Sequence, residues 1–176
     1  IALHRNLPDL FHDLAGHLHN LLEFRNLGVV LYDEPGNFLR LHILESSEPE
    51  IHAIPDKLPI EGSISGWVWQ NQQPFVTADI QQETRFTTVK MASEYGVKSV
   101  CILPLTTAHR RLGVLDIWSD KAGAYDRLDL EFAQLVTSQI AVAIENTLNF
   151  EEARAAQQEL ASERDQLRLL LDVGNA

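Results

Sequence analysis

The sequence predicts an α+β fold, with a helix at each end and strands between them. Three observations carry that expectation. A stripe of leucines at helical spacing occupies the N-terminal segment, two pairs of strand-like runs are joined by short links, and helix-compatible sequence runs unbroken from Asp126 almost to the end. Helices placed outside a run of strands, rather than alternating with them, are the pattern of an α+β domain.

The first helix is expected over residues 6–24. Leu7, Leu10, Phe11, Leu14, Leu18, Leu21 and Leu22 recur at i, i+3, i+4 and i+7, which puts them on one stripe. Asn6 is the expected N-cap and Asp9 follows it by three residues, as in a capping arrangement. Pro8 is tolerated because first-turn amides have no intrahelical partner.

Two strands follow. Leu27 to Tyr32 is a short apolar run of the type buried on both faces. Asp33-Glu-Pro-Gly36 marks a turn. Phe38 to Leu44 alternates, with Leu39, Leu41 and Ile43 on one face and Arg40 and His42 on the other. The short, Gly-containing link predicts a hairpin.

Residues 45–62 are polar and carry Pro55 and Pro59, which forbid a long regular element. Ser63 is a cap for a short helix through Asn71 that carries Trp67 and Trp69. Phe75 to Thr77 reads as a brief strand, and residues 82–95 as a polar, weakly helical stretch containing Phe86, Val89 and Met91. Lys98 to Leu105 and Arg111 to Trp118 form the clearest strand pair, linked by Thr106 to Arg110.

From the expected N-cap at Asp126 no Gly or Pro intervenes until Gly174, so the last helix extends about 70 Å at about 1.5 Å per residue. Phe132 to Leu148 carries a broad apolar face. Beyond Glu151 the stripe thins to Ala153, Leu160, Leu167 and Leu171, near a 3.5-residue period, with Gln157 and Arg164 in the seam. That is a weak coiled coil, and it needs a partner helix, most simply its own copy.

Composition bounds the function. The 176 residues suit one domain, and 45% hydrophobic with 22% charged residues is a globular mixture. Lys and Arg total 14 against 25 Asp and Glu, a net charge of -11 that argues against direct nucleic-acid contact. A single cysteine excludes an internal disulfide framework and a Cys-rich zinc site. The longest apolar run falls short of the roughly 18 residues that span a bilayer. Ile1 opens no signal-peptide pattern, and the chain is expected to be a segment of a longer cytoplasmic protein.

An ordered set of short motifs resembles the GAF domain. Gly66-Trp-Val68 is followed by Pro74-Phe-Val76, Asp79 and Arg85-Phe86, then Ser99-Val-Cys-Ile-Leu-Pro-Leu105, Gly113-Val-Leu-Asp-Ile117 and Ala143-Ile-Glu-Asn146. Gly66-Trp-Val-Trp-Gln70, Leu41-His-Ile-Leu44 and Glu163-Arg-Asp-Gln-Leu-Arg-Leu-Leu-Leu171 are further similar to GAF modules of formate-hydrogenlyase-activator-type, sigma-54-dependent regulators. The resemblance implies an antiparallel sheet of about six strands. The N- and C-terminal helices would cover one face, and a pocket-forming insert would frame the other. It implies a GAF domain over residues 1–149 and a linker or coiled-coil continuation over 150–176.

Within that frame the candidate ligand-binding residues are Trp67, Trp69, Phe86, Val89, Met91, His42 and Cys101. The first five sit in the insert, where they either line an apolar pocket or fill a secondary core. His42, with Arg40, either contacts an anionic ligand or forms a solvated pair near the sheet edge. Some GAF relatives attach a bilin through cysteine, but Cys101 is followed by Ile102 rather than histidine, and a buried thiol behaves as a small hydrophobe. His12, His17 and His19 lack the i, i+4 spacing and carboxylate partners of a zinc site, so no metal is expected. Lys121, Tyr125 and Asp129 loosely echo a cyclic-nucleotide GAF signature, but Leu130 breaks it.

No phosphate loop or nucleophile motif supports catalysis, and the sequence names no cofactor. Some GAF relatives reduce methionine sulfoxide through cysteines, but Cys101 has no resolving thiol in its own chain. The expected function is a non-catalytic sensory module. It would bind a small ligand or partner and relay the signal through a homodimer built on the N- and C-terminal helices. A spacer without ligand, or the input module of a histidine kinase, is the competing reading.

Overall fold

The computed structural model describes residues 6–18, 24, 26–46 and 54–174. Helix α1 spans Leu7–Leu18, and strands β1 (Asn26–Asp33) and β2 (Phe38–Ser46) form the expected hairpin. A two-residue strand β3 (Lys57–Leu58) precedes α2 (Ile64–Asn71) and β4 (Phe75–Thr77). A 3-10 turn at Ile80–Gln82 leads to α3 (Thr88–Glu94). Strands β5 (Ser99–Thr106) and β6 (Arg111–Ser119) come next, and α4 runs from Leu130 to Gly174.

The strands make one antiparallel sheet in the order β3-β2-β1-β6-β5-β4. Strands β1 and β6 are central, which explains why both read as continuous apolar runs. Side chains alternate across the sheet, so it has two apolar faces. One packs Leu27, Val29, Leu31, Leu103, Leu115 and Ile117 against α1 (Leu10, Leu14, Leu18) and α4 (Ile140, Ile144). The other packs Val30, Leu39, Leu41, Val100, Ile102, Val114 and Trp118 against α2, α3 and their loops. This is the layering the GAF resemblance implies.

Local capping decides the helix ends. The Asp9 amide donates to Asn6 Oδ1 at 2.9 Å, while the Asp9 carboxylate accepts from the Asn6 side-chain amide at 3.0 Å. The expected cap of α4 at Asp126 is displaced by three residues: the Phe132 amide donates to Asp129 Oδ1 at 3.0 Å. Residues 121–127 are instead spent on turns, in which Gly123 (φ 68°) donates its amide to the Ala78 carbonyl. Strand β3 was hidden in the polar stretch 45–62. It exists because Leu39 and Arg40 pair with Leu58 and Lys57. Leu21 and Leu22 of the α1 stripe, and the Ile43 side chain, lie outside the described residues.

Helix α4 contains 45 residues. Its first half is seated on the sheet through Ala133, Ile140, Ala141 and Ile144. Residues 152–170 are exposed without exception, and that stretch does not fold back onto the sheet.

Candidate functional site

The site begins with one residue out of place. Leu112 to Trp118 is apolar apart from Gly113 and Asp116, and Asp116 is 2% exposed. Register sets it between Gly28 of β1 and Ile102 of β5, on the sheet face that packs α2 and α3. The Ser65 hydroxyl donates to its Oδ2 at 2.9 Å. Its Oδ1 is buried with no hydrogen-bond partner among the described residues. Burial pushes its carboxyl up to about 7, opposed by the Ser65 hydrogen bond, which favours the ionised form.

Asp116 lines a cavity of about 60 Å³. Its walls are Leu41, Leu58, Ile64, Ile80, Val100, Ile102 and Trp118, with Met91 and Ala92 from α3 and Ile54 from the preceding loop. The polar lining is Ser63, Ser65, Thr88 and Asp116. Two glycines permit this packing. A Cβ on Gly28 would stand 2.7 Å from Trp118 Cη2, so only glycine lets the indole lie over β1. A Cβ on Gly66 would collide with the Ile60 carbonyl, so α2 can sit this close to its own entry loop only with glycine there.

Helix α2 presents Ser65 because Ser63 fixes its start. Ser63 Oγ accepts from the Gly66 amide at 2.9 Å and donates to the Pro59 carbonyl at 2.5 Å. The far end of α2 is tied to the β5–β6 hairpin. Trp69 Nε1 donates to the Arg111 carbonyl at 3.2 Å, Arg111 donates to the Gln70 carbonyl at 2.9 Å, and the Thr106 hydroxyl donates to Gln72 Oε1.

The same hairpin grips α4 where that helix leaves the sheet. Arg110 donates to Asn149 Oδ1 at 2.9 Å and lies 3.6 Å from carboxylate oxygens of both Glu145 and Glu152. The Thr107 hydroxyl donates to Glu145 Oε1 at 3.0 Å. The Leu7 amide donates to Glu151 Oε1 at 3.2 Å, which fastens the start of α1 to the same point.

The candidate residues divide among four places. Met91 lines the cavity, and Val89 is buried in the same apolar layer. Trp67 and Phe86 form an aromatic cluster with Phe75, at centroid separations of 5.7–6.5 Å. Arg85 caps that cluster, its guanidinium carbon 5.2 Å from the Phe86 centroid, while it also pairs with Glu83 at 2.6 Å. Trp69 turns toward the hairpin and packs on Tyr32 at 4.3 Å.

His42 and Cys101 sit on the helix-covered face, across the sheet from the cavity. The His42 ring is 5.2 Å from Phe11, and burial, then Arg40, holds its pKa below the ordinary histidine value. Arg40 beside it pairs with Asp33 and Asp56. Cys101 is fully buried, and burial, then the Asp116 charge, pushes its thiol up to about 12. Tyr125 is buried in the same layer, and burial, then Cys101, raises its hydroxyl pKa.

His12 is exposed and His17 Nδ1 donates to the Asp13 carbonyl, while His19 lies outside the described residues. Among the described residues no group of three or more His, Cys, Asp or Glu could hold a metal ion. None of their helices is long and apolar enough to cross a membrane.

Three comparisons bear on this arrangement. The family model "GAF domain" matches residues 4–145. The DNA-binding transcriptional activator HyfR of Escherichia coli (strain K12) is 24% identical over 180 residues, covering 99% of this chain and 27% of that protein. The chain thus spans about a quarter of that relative's length. Among solved structures, the GAF domain of a two-component sensor histidine kinase from Bacillus halodurans superposes with a TM-score of 0.70 at 22% identity, covering 84% of this chain and 99% of that one. A free methionine-R-sulfoxide reductase from Neisseria meningitidis, in complex with its substrate, superposes with a TM-score of 0.64 at 17% identity, covering 79% and 78%.

Proposed function

This chain belongs to the GAF domain family, and we propose that it is a non-catalytic signal-input module of a bacterial transcriptional regulator, in which a small ligand in the Asp116 cavity biases the exit helix of a homodimer. The observation that carries the reading is the cavity's connection to α4. Ser65 reaches Asp116 from one end of α2, the other end of α2 is bonded to the β5–β6 hairpin, and the hairpin holds Glu145, Asn149 and Glu152. A ligand that moves α2 therefore has a bonded route to the point where α4 leaves the body. Coupling follows only if the ligand favours one of two arrangements of that route.

The dimer part rests on α4. Beyond Glu152, whose carboxylate meets Arg110, residues 153–170 are exposed on every side, and isolated helices of this length are marginal in water. Leu160 and Leu167 are 65% and 61% exposed and lie one heptad apart. A second copy of α4, parallel and in register, buries both. Residues 1–149 are the sensory body in this reading, and 150–176 the linker toward a following module. The setting we propose is cytoplasmic, without direct nucleic-acid or membrane contact by this segment.

The reductase likeness favours a second reading, but the chemistry of this chain opposes it. Its one cysteine is buried on the face away from the cavity, with a thiol held near 12. A sulfoxide in the cavity would meet a carboxyl and hydroxyls, with no thiolate to accept its oxygen.

Native mass spectrometry of the chain purified gently from cells tests the proposal. The expected result is a dimer carrying a small-molecule mass that is lost when Ala92→Trp fills the cavity. A monomer, or a mass retained in the filled variant, contradicts it.

A further inference from the structure

We propose that the Asp116 cavity selects a small primary amine in its ammonium form, on a short apolar chain, and rejects carboxylates and phosphates. This rests on the sensory reading above and names the chemistry of its signal.

The argument pairs what the cavity offers with what it lacks. Asp116 lines it, and Asp116 Oδ1 is buried without a hydrogen-bond partner among the described residues. The other carboxylate oxygen is met by Ser65, and the Ser63 hydroxyl is committed to Gly66 and Pro59. No lysine, arginine or histidine lines the space among the described residues. An anion entering it meets a carboxyl with no counter-charge, and a buried charge without a partner is costly. An ammonium meets the opposite charge and supplies the N–H that Oδ1 lacks, as a charge-assisted hydrogen bond.

Size and wall chemistry narrow the class. By this measure of volume a water needs about 10–15 Å³, so the 60 Å³ cavity admits roughly four to six non-hydrogen atoms. A three- or four-carbon amine fits and a nucleotide does not. The short chain lies against Leu41, Ile80, Val100 and Trp118.

The groups around Asp116 leave it as the titrating member. From β1 it meets Gly28, from β5 Ile102 and from α2 Ser65. From α3 the lining is Thr88, Met91 and Ala92. Cys101 feels its charge, but that thiol faces the other side of the sheet. With the carboxyl near 7, ionisation is mostly incomplete at pH 6 and mostly complete at pH 8, while an alkylammonium, like lysine, stays charged to about pH 10. Ammonium affinity therefore rises with pH across that window.

The test is a methyl-NMR titration of the full chain with n-propylammonium, propionate and propan-1-ol, each at pH 6 and pH 8. Propylammonium is expected to shift the Met91, Ile64 and Ile80 methyl signals, with affinity up to about tenfold higher at pH 8. Propionate is expected to leave them unmoved, and Asp116→Asn to remove the pH dependence and weaken the ammonium at least about tenfold. Should that variant not fold, the three probes on the unaltered chain still decide. Ammonium affinity that is flat or falling with pH, or unchanged in the variant, overturns the proposal. Propionate or propan-1-ol entering in place of the ammonium overturns the ammonium class and leaves the cavity as the signal site. No probe entering at all overturns both.

Discussion

The Ser65 hydroxyl donates to Asp116 Oδ2 across 2.9 Å, joining the first turn of α2 to a central strand of the sheet. Seven residues further on, Gln72 is hydrogen-bonded to Thr106 at the hairpin. Helix α2 is thus fastened at both ends, one inside the cavity and one beside the grip on α4.

Asp116 should set a pH dependence of stability. Its ordinary carboxyl value is 3.8 and its folded value about 7, so the native state binds the proton more tightly over that window. Stability from this group is fully present below about pH 4 and lost as pH rises to about 7, by at most roughly 4 kcal/mol at about 1.4 kcal/mol per pH unit. Asp116→Asn removes the charge. Urea unfolding is expected to show the variant gaining on the parent between pH 5 and pH 8. An equal stability difference at both pH values would sink this assignment.

Gly28→Ala should strain the cavity floor. The added methyl would meet Trp118 Cη2 at 2.7 Å and Leu41 Cδ1 at 3.0 Å. Overpacking of that kind costs about 1–3 kcal/mol. Denaturant unfolding reads the loss, and an unchanged midpoint would mean that the indole moves aside freely.

Cys101 should be chemically silent in the folded chain. With its thiol near 12, only about one molecule in ten thousand carries the thiolate at pH 8, and the sulfur is shielded as well. Labelling by a thiol-reactive disulfide is expected to proceed only as fast as the chain opens. Labelling at the rate of a free thiol would refute its burial.

The exposed half of α4 should hold the dimer. Deleting residues 153–176 leaves Glu145, Asn149 and Glu152 to meet Arg110, so the body keeps its clasp. Sedimentation is expected to show a dimer for the full chain and a monomer for the truncation, and Leu160→Glu with Leu167→Glu should act in the same direction. A truncated chain that stays dimeric would move the contact to α1 or to the exposed Phe132, Leu135 and Val142 flank.

Much of the fold was legible because its signals are local. The α1 stripe, the β1–β2 turn, the Ser63 cap and the length of α4 each follow from neighbours in sequence. Strand β3 was not legible, because two residues show no alternation and pair only when β2 is already in place. The cap of α4 was misplaced because Asp126 and Asp129 offer the same local chemistry, and the turn at Gly123 decides between them. The site was legible in part. Met91 lines the cavity, and Val89, Trp67, Trp69 and Phe86 pack in the same apolar layer without lining it. His42 lies opposite Leu41, as the alternation of that strand predicts, and the same alternation puts Cys101 opposite Ile102. Asp116 carries a readable signal, a lone carboxylate inside an apolar central strand, and it falls within the Gly113-to-Ile117 motif.

The measurement that reaches the central claim most directly is the distance between spin labels at Arg164→Cys on the α4 helices of two copies of the untruncated 176-residue chain, in a Cys101→Ser background. It is read with the cavity as it stands and with Ala92→Trp filling it. The account predicts one distance distribution for each cavity state, clearly displaced from one another. Identical distributions, or no inter-chain distance at all, would contradict it.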